Sequence, residues 1–561
     1  MKTSKLLLSF LKEYEVKHVF GLPGETSLSL YEEFKGEIQH ILTRDERNAV
    51  YMADAYAKLT FKPGVVEGPS VGSVYMIPGV VEAHKSSTPL IIITTDTMLY
   101  GEKLNYLTAL DQTSIFKPIT KESITVTKPE ELAHAIRRAF RLATTGKPGP
   151  VHVRIPSDVL EGEIEKDKIT MLKAQKEFSR YPAYRPIPDS QTIDMVTDLI
   201  LKSDFPVLIC GQGALYSMAW DEVLELAELL GIPVGTTITG KGCIPETNPL
   251  SIGVIGGRGG TSFSNGIVEN ADLVILVGSN TDSANTDKWN IPPRNKKIIH
   301  IDISEAEIGN NYDSVNVLGD AKATLRLIID NIRRRGLPAR KNIFLDRSKF
   351  EEKIREISEE KREVVNPLKF IRELWSLTPD DSVLIADPGI GAIYTSAFYK
   401  AKRAGRYFIF NYGLGGLGYA IPASVGAYFA RPNSLIVSLT GDGSFGFSAG
   451  ELETIKRVNA NVVIILFNNG GYGWIRAEMS INYGDVVGTN FSSPDYVKIA
   501  EGFGLSAYRI AKDEEIVETL RSAIKNTPSL VEVIVEPEDK FVPPVTHWVR
   551  SIKTKDTKVV Y

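Results

Sequence analysis

Two short segments in the C-terminal third combine residue types that can hold a hard cation and a phosphate. Thr440-Gly441-Asp442-Gly443-Ser444 follows the apolar run 435–439, and Asn468-Asn469-Gly470-Gly471 follows the run 462–467. Apolar runs of this length, separated by a helix-period segment, predict parallel strands, so both segments fall at carboxyl ends, where open α/β sheets bind ligands. Glycines at 441 and 443 let the backbone come close to a phosphate, while Asp442 and Asn469 offer one charged and one neutral oxygen ligand. Magnesium suits that pair, since it takes few protein ligands and fills its shell with phosphate oxygens and water. Either segment alone reads as a tight turn. At the ends of successive strands, with 27 residues from Asp442 to Asn469, they read together as a diphosphate–magnesium site.

Two further segments could take part in chemistry. Gly413, Gly415 and Gly418 in GLGGLG match the dinucleotide spacing GxGxxG between a strand-like run (407–410) and a helix, which makes a nicotinamide-dependent dehydrogenase an alternative. The acidic residue that such a site needs about 20 positions on would have to be Asp442, which lies inside GDGS. In the N-terminal third, the run 39–42 leads into TRDERNAVYMADAYAKL, a helix whose first turn holds Asp45 and Glu46. Acids there are favoured by the helix dipole whatever else they do.

The elements that must position these residues follow from a rhythm kept along nearly the whole chain. Short apolar runs at 18–22, 39–42, 90–94, 151–155, 207–210, 273–277, 297–301, 382–385, 435–439, 462–467 and 530–534 alternate with helix-period segments. That is the pattern of an α/β protein with parallel sheets covered on both faces. With 561 residues, several domains of roughly 150 residues are expected. Two stretches break the rhythm: 161–190, charged and then carrying Pro182, Pro186 and Pro188, and 331–366, with RRRGLPARK and EEKIREISEEKREVV, most simply a solvated helix between domains. They leave three doubly wound parallel-sheet domains, at 1–165, 188–335 and 362–545.

Composition narrows the function. The chain is 43% hydrophobic and 24% charged, and 65 Lys and Arg against 69 Asp and Glu leave a net charge of −4, so there is no bulk attraction to nucleic acid or an anionic membrane. Partners are expected to be small molecules. Two cysteines, Cys210 and Cys243, make no disulfide framework or metal set, which fits a cytoplasmic setting. No stretch approaches 18 uninterrupted apolar residues, and the N-terminal run ends at Leu11 before Lys12 and Glu13 without a cleavage site, so it reads as an amphipathic helix.

GDG, a spacer and NN at this distance resemble the signature of the thiamine diphosphate (ThDP) enzymes. The resemblance implies that Asp442, Asn469 and the carbonyl of Gly471 bind magnesium, with Gly441, Gly443 and Ser444 beside the diphosphate. GLGGLGYAIPASVGA resembles the family stretch that holds the aminopyrimidine ring, so that Gly415 offers its carbonyl to the exocyclic amine and Leu417 wedges the cofactor into its bent shape. The helix MADAYAK matches the family's MADGYAR, which makes Glu46 the catalytic acid that protonates the ring. Burial against a cofactor ring raises a carboxyl pKa and keeps it usable as an acid near neutrality. HVFGLPGE, PITK, GKPGPVHVRIPSDV, GKGCIPETNPLSIGVIG and ADLVILVGSNTD extend the likeness over nearly the whole chain, and the acetolactate synthase-like branch of decarboxylases and carboligases fits best. Members pair two chains so that the glutamate of one faces the diphosphate site of the other, implying a homodimer or a dimer of dimers with active sites at the subunit interface.

Departures from the branch set the limits of that expectation. VVEGPSVGSVYMIPGVVEAHKSSTP stands where SGPGATN is usual and puts Tyr75 at the asparagine; the FQE motif is missing, with Thr108 at its glutamine and Gln112 nearby. The flavin-binding RFDDR is Asn280-Thr281-Asp282-Ser283-Ala284, leaving FAD in the middle domain an open question. Glu25, after the first strand, is either a turn acid or a proton donor to the reacting intermediate. Tyr75, Gln112, Trp474 and Met479 are the candidate substrate contacts, and no His-His pair occurs among the seven histidines. The resemblance implies acetolactate synthase-like carboligation after decarboxylation of a 2-oxo acid. The alternatives are a lyase or decarboxylase acting on 2-hydroxyacyl or 2-oxoacyl thioesters or aromatic 2-oxo acids, and a protein that binds ThDP without turnover.

Overall fold

The computed structural model describes residues 1–165, 173–336, 345–492, 494–538 and 540–547. They form three six-stranded sheets in which every paired neighbour is parallel. The first runs Gln39–Leu42, His18–Gly21, Gly64–Gly68, Leu90–Asp96, Val151–Pro156, Ser123–Thr125. The second runs Val315–Leu318, Lys297–Asp302, Leu273–Val277, Pro206–Cys210, Val234–Thr236, Ser251–Val254, and the third Phe408–Phe410, Val383–Ala386, Ile436–Gly441, Val462–Asn468, Ser529–Ile534, Ser506–Ile510. Central strands are apolar without alternation because helices cover both faces; all five residues of Leu273–Val277 are buried.

Strand order decides where ligands can sit. In the third sheet Val383–Ala386 lies between the strands that follow it, with Phe408–Phe410 on one side and Ile436–Gly441 on the other. Connections leave in opposite directions from that strand, and the crevice opened at the carboxyl ends there is the usual ligand site of such sheets. Gly441 ends one wall of it, and the next strand, Val462–Asn468, pairs with that wall to its last residues, Gly441 opposite Phe467. The first sheet repeats the arrangement around His18–Gly21, whose neighbours are Gln39–Leu42 and Gly64–Gly68.

The chain folds into two compact units. One comprises Met1–Tyr184, Asn411–Asn433 and Ser448–Ala460; the other takes Arg185–Phe410, Ser434–Phe447 and the chain from Asn461 on. Two helices from the C-terminal part of the sequence, Ala420–Ala430 and Glu451–Arg457, thus pack with the first sheet. Ala420–Ala430 is apolar all round, as a helix buried on every side must be. It crosses Glu46–Thr60 so closely that a Cβ on Gly426 would overlap the carbonyl oxygen of Met52. Gly426→Ala is therefore expected to lower stability by about 1–3 kcal/mol, the range for overfilling a packed contact, read as a drop in thermal midpoint. Glu451 ties the second helix down, accepting from Arg44 N at 2.9 Å and Asn48 Nδ2 at 3.0 Å.

In the second unit the GKGCIPE segment joins the two sheets. Lys241 Nζ, paired with Glu246, donates to Ser396 O at 3.0 Å, and Ala401 N donates to Glu246 Oε2 at 2.7 Å. The charged stretch expected as one inter-domain helix is instead two elements: Arg333, Arg334 and Arg335 close the helix Ala321–Arg335, and Ser348–Glu359 is a separate helix. Residues 337–344 of that stretch, and 166–172 of the earlier linker, lie outside the described residues. Arg335 pairs with Asp194 at 2.6 Å and Arg333 with Glu225 at 2.7 Å, so these cations meet neighbouring acids of the same unit. Among the described residues no helix is long and apolar enough to cross a membrane.

Candidate active site

At the third sheet, Gly441 ends its strand and precedes the single turn Asp442–Phe445. Asp442 is 5% exposed; its Oδ1 accepts from Gly443 N at 2.8 Å and its Oδ2 from Gly471 N at 2.9 Å, which laces the two motif loops through one carboxylate. Burial pushes its pKa up to about 6 against the pull of those N–H donors. One strand over, Asn469 Nδ2 donates to Glu538 Oε2 at 2.9 Å, while its Oδ1 is buried with no hydrogen-bond partner among the described residues. A buried, unmatched amide oxygen is costly, and this one follows the strand adjoining the one that leads into Asp442. Gly471 O accepts from Gly473 N at 2.9 Å and keeps a second lone pair. A Cβ on Gly443 would come within 2.8 Å of the Tyr472 ring, and one on Gly471 would overlap the carbonyl oxygen of Thr489, so neither position has room for a side chain. Ser444 is buried in the same turn. Among the described residues no three His, Cys, Asp or Glu cluster to hold a metal. One carboxylate, one amide and one carbonyl are nevertheless the oxygen types that suit magnesium when phosphate completes its shell.

In the first unit, Asp45 takes the helix cap, its Oδ1 accepting from Arg47 N at 2.8 Å. Glu46 is thereby released from capping duty and is 8% exposed. A Cβ on Gly72 would overlap Glu46 Oε1, so that glycine clears the space the carboxyl occupies. Burial raises the Glu46 pKa, and the acids Asp45 and Glu67 push the same way. Glu67, which sequence reasoning missed, is itself buried and hydrogen-bonded to Tyr31 and to His40 Nε2, the latter at 3.1 Å.

The glycine loop belongs to this unit too. Gly413 N, Leu414 N and Gly415 N converge on the carboxylate of Glu82 at 3.2, 2.7 and 3.4 Å. In a dinucleotide site those amides would face a phosphate; here a buried acid already occupies them, which removes the basis of the dehydrogenase reading. Asn411 Nδ2 donates to Gly416 O at 2.6 Å, and the Tyr419 hydroxyl donates to Asp54. Gly415 has φ +80, a backbone shape that favours glycine, and Leu417 is half-buried.

Comparison with known proteins decides the lineage. Family models described as "Thiamine pyrophosphate enzyme" match residues 1–115 (N-terminal TPP binding domain), 193–328 (central domain) and 387–533 (C-terminal TPP binding domain). The "Probable acetolactate synthase large subunit" of Methanocaldococcus jannaschii is 33% identical over 99% of this chain and 96% of its own length. That of Methanococcus aeolicus is 32% identical over 97% and 94%, and the "Acetolactate synthase large subunit" of Cyanidium caldarium 30% over 96% and 94%. The chain belongs to the thiamine pyrophosphate enzyme family. It is a ThDP-dependent enzyme of the acetolactate synthase-like branch.

Within that family the remaining candidates separate. Glu25 opens the 3-10 turn Glu25–Ser27 and is exposed, and Tyr75 ends the short helix Gly72–Tyr75 with 59% of its surface exposed. Gln112 is fully buried, its Oε1 accepting from Thr94 Oγ1 and its Nε2 donating to Thr95 O at 3.2 Å, so its amide braces a helix against a strand. Trp474 is buried on the helix Gly473–Tyr483; its Nε1 donates to Glu478 Oε1 at 2.7 Å and the Arg258 guanidinium lies 4.4 Å from its ring centroid. Met479 is half-buried on that helix. In the central domain, Asp282 accepts from Ala284 N and Asn285 N, both at 2.9 Å, and Gly213 N donates to Gly278 O at 2.8 Å. The Asp282 carboxylate is thus spent on the turn that follows it, and the Gly213 amide on a neighbouring backbone carbonyl.

Proposed function

We propose that this enzyme is a ThDP- and magnesium-dependent carboligase of the acetolactate synthase type, removing carbon dioxide from a 2-oxo acid such as pyruvate and joining the remainder to a second carbonyl. The observation that carries the reading is the Asp442–Asn469 pair, a desolvated carboxylate beside an unmatched amide oxygen at adjoining strand ends. Bound ThDP supplies the electron sink for the carbanion. Asp442, Asn469 Oδ1 and the Gly471 carbonyl would hold magnesium, with Gly441, Gly443 and Ser444 beside the diphosphate. Gly415 would receive the exocyclic amine, Leu417 would support the bent cofactor, and Glu46 would hold a proton at the ring nitrogen. Glu25 stands as the candidate donor to the reacting carbon, with Tyr75, Trp474 and Met479 on the substrate side.

The same reading assigns 1–165 to pyrimidine binding, 188–335 to a central domain and 362–545 to diphosphate binding, in a cytoplasmic homodimer or dimer of dimers whose sites lie between subunits. Exposed apolar side chains support the assembly: Val71, Val74 and Tyr75 follow the strand beside Glu46, and Ile475, Tyr483 and Val487 follow Asn469. Such patches call for cover, and a second copy provides it.

The test is holoenzyme incubated with a panel of 2-oxo acids and acyl thioesters, with products identified by mass. A coupled 2-hydroxy-3-oxo acid, formed from two molecules of pyruvate with release of one carbon dioxide, is expected, lost on dialysis against a chelator and restored by ThDP with magnesium. Carbon dioxide without a coupled product would assign a decarboxylase, and carbon–carbon cleavage of a 2-hydroxyacyl thioester a lyase. Cofactor binding without any turnover would reduce the chain to a ThDP-binding protein.

A further inference from the structure

We propose that Glu82 is a positioning residue for the cofactor, its buried carboxylate holding residues 413–415 in the shape from which Gly415 meets the aminopyrimidine ring. The proposal rests on the ThDP reading above. Four glycines among residues 413–418 leave the loop without side chains to anchor it, and glycine loses the most backbone freedom on ordering. A loop that must offer a carbonyl to a ligand has to be gripped elsewhere, and its successive N–H groups are the grip available. Leu414 N at 2.7 Å and Gly413 N at 3.2 Å take the two carboxylate oxygens separately, and Gly415 N shares Oε2 at 3.4 Å.

The seat of Glu82 is built for this contact. It lies on the helix Ile77–Lys85 with 1% of its surface exposed. A Cβ on Gly413 would stand 2.9 Å from Glu82 Oε1 and from Ser86 N, so the loop rests on the carboxyl-terminal turn of that helix with room for glycine alone. Below the loop, Lys58 Nζ donates to Asp54 Oδ2 at 2.6 Å, and the Tyr419 hydroxyl reaches the same Asp54 oxygen, so the far end of the loop is tethered as well. A buried carboxylate is costly unless hydrogen-bonded, and converging backbone amides are a strong way to hold one. Glutamine in its place would turn an NH2 group toward one of those N–H groups.

The experiment compares full-length wild type, Glu82→Gln and Glu82→Asp by calorimetric titration with ThDP in magnesium, by kcat at saturating ThDP, and by thermal midpoint without cofactor. Both variants are expected to bind ThDP about 10- to 100-fold more weakly, the range for losing a hydrogen bond to a charged group, with kcat recovering once ThDP saturates. Unchanged ThDP affinity in variants that fold, even with a lowered thermal midpoint, would leave Glu82 a structural staple and overturn the proposal. In the unsubstituted protein, the amides of 413–415 are expected to be protected from hydrogen exchange before ThDP is added; rapid exchange would overturn it equally. Wild type that fails to bind ThDP would instead strike the functional reading itself.

Discussion

Glu46→Gln is expected to remove about 10²- to 10⁴-fold of kcat, the usual worth of a positioned acid–base group, while ThDP still binds. The carboxyl occupies space cleared by Gly72, so an amide of the same size fits and the cofactor surface is kept. Stability should move the other way. Burial raises the Glu46 pKa in the folded state above its ordinary 4.5, so between those two values the folded chain holds more protons than the unfolded one. Stability from this group therefore falls as pH rises through that window, and at neutral pH the buried charge is a net cost. Glutamine carries no such cost, so the cofactor-free variant should melt no lower than wild type at pH 7. Steady-state kinetics, calorimetric ThDP binding and thermal midpoints at two pH values check the three parts, and an undiminished kcat would remove Glu46 from the chemistry.

Asp442→Asn should abolish useful cofactor affinity instead of turnover on bound cofactor, with apparent ThDP affinity in magnesium falling by at least about 100-fold. That factor corresponds to losing one charged cation ligand in a desolvated site, about 3 kcal/mol. Wild type should carry a pH signature that the variant lacks. Because burial pushes Asp442 up to about 6, proton and cation compete for it below that pH. Magnesium-dependent affinity is then expected to fall roughly tenfold for each pH unit under 6 and to level off above it. Titrations at pH 5, 6 and 8 separate the cases; a flat wild-type profile would mean that the cation is held elsewhere.

The strands that sequence pattern reveals are those buried on both faces, such as Leu273–Val277 and Val462–Asn468. Gly64–Gly68 escapes because it reads GVVEG, with two glycines and a glutamate, yet all five residues are buried. The edge strands Ser123–Thr125 and Val315–Leu318 are short and only partly buried, and leave no continuous apolar run. The proposed cation ligands Asp442 and Asn469 stand out in the sequence because each sits directly after a strand, so geometry is encoded in spacing. Glu82 does not, since a lone acid on a helix says nothing of a loop 331 residues away. For Gln112, likewise, nothing local announces its burial or its bonds to Thr94 and Thr95, which only the fold reveals. Arg258, stacked on Trp474, is another side chain whose partner lies far along the chain.

The chain passes back into its first compact unit twice, at Asn411–Asn433 and again at Ser448–Ala460. Dissection at the proline-rich or arginine-rich linkers therefore yields no self-sufficient N-terminal piece, because the helix that covers Glu46–Thr60 would be left behind on the other fragment. Anyone grafting modules between relatives has to transplant three discontinuous stretches together, with Met52 and Gly426 matched as a pair. Natural recombination by simple end-to-end shuffling meets the same barrier.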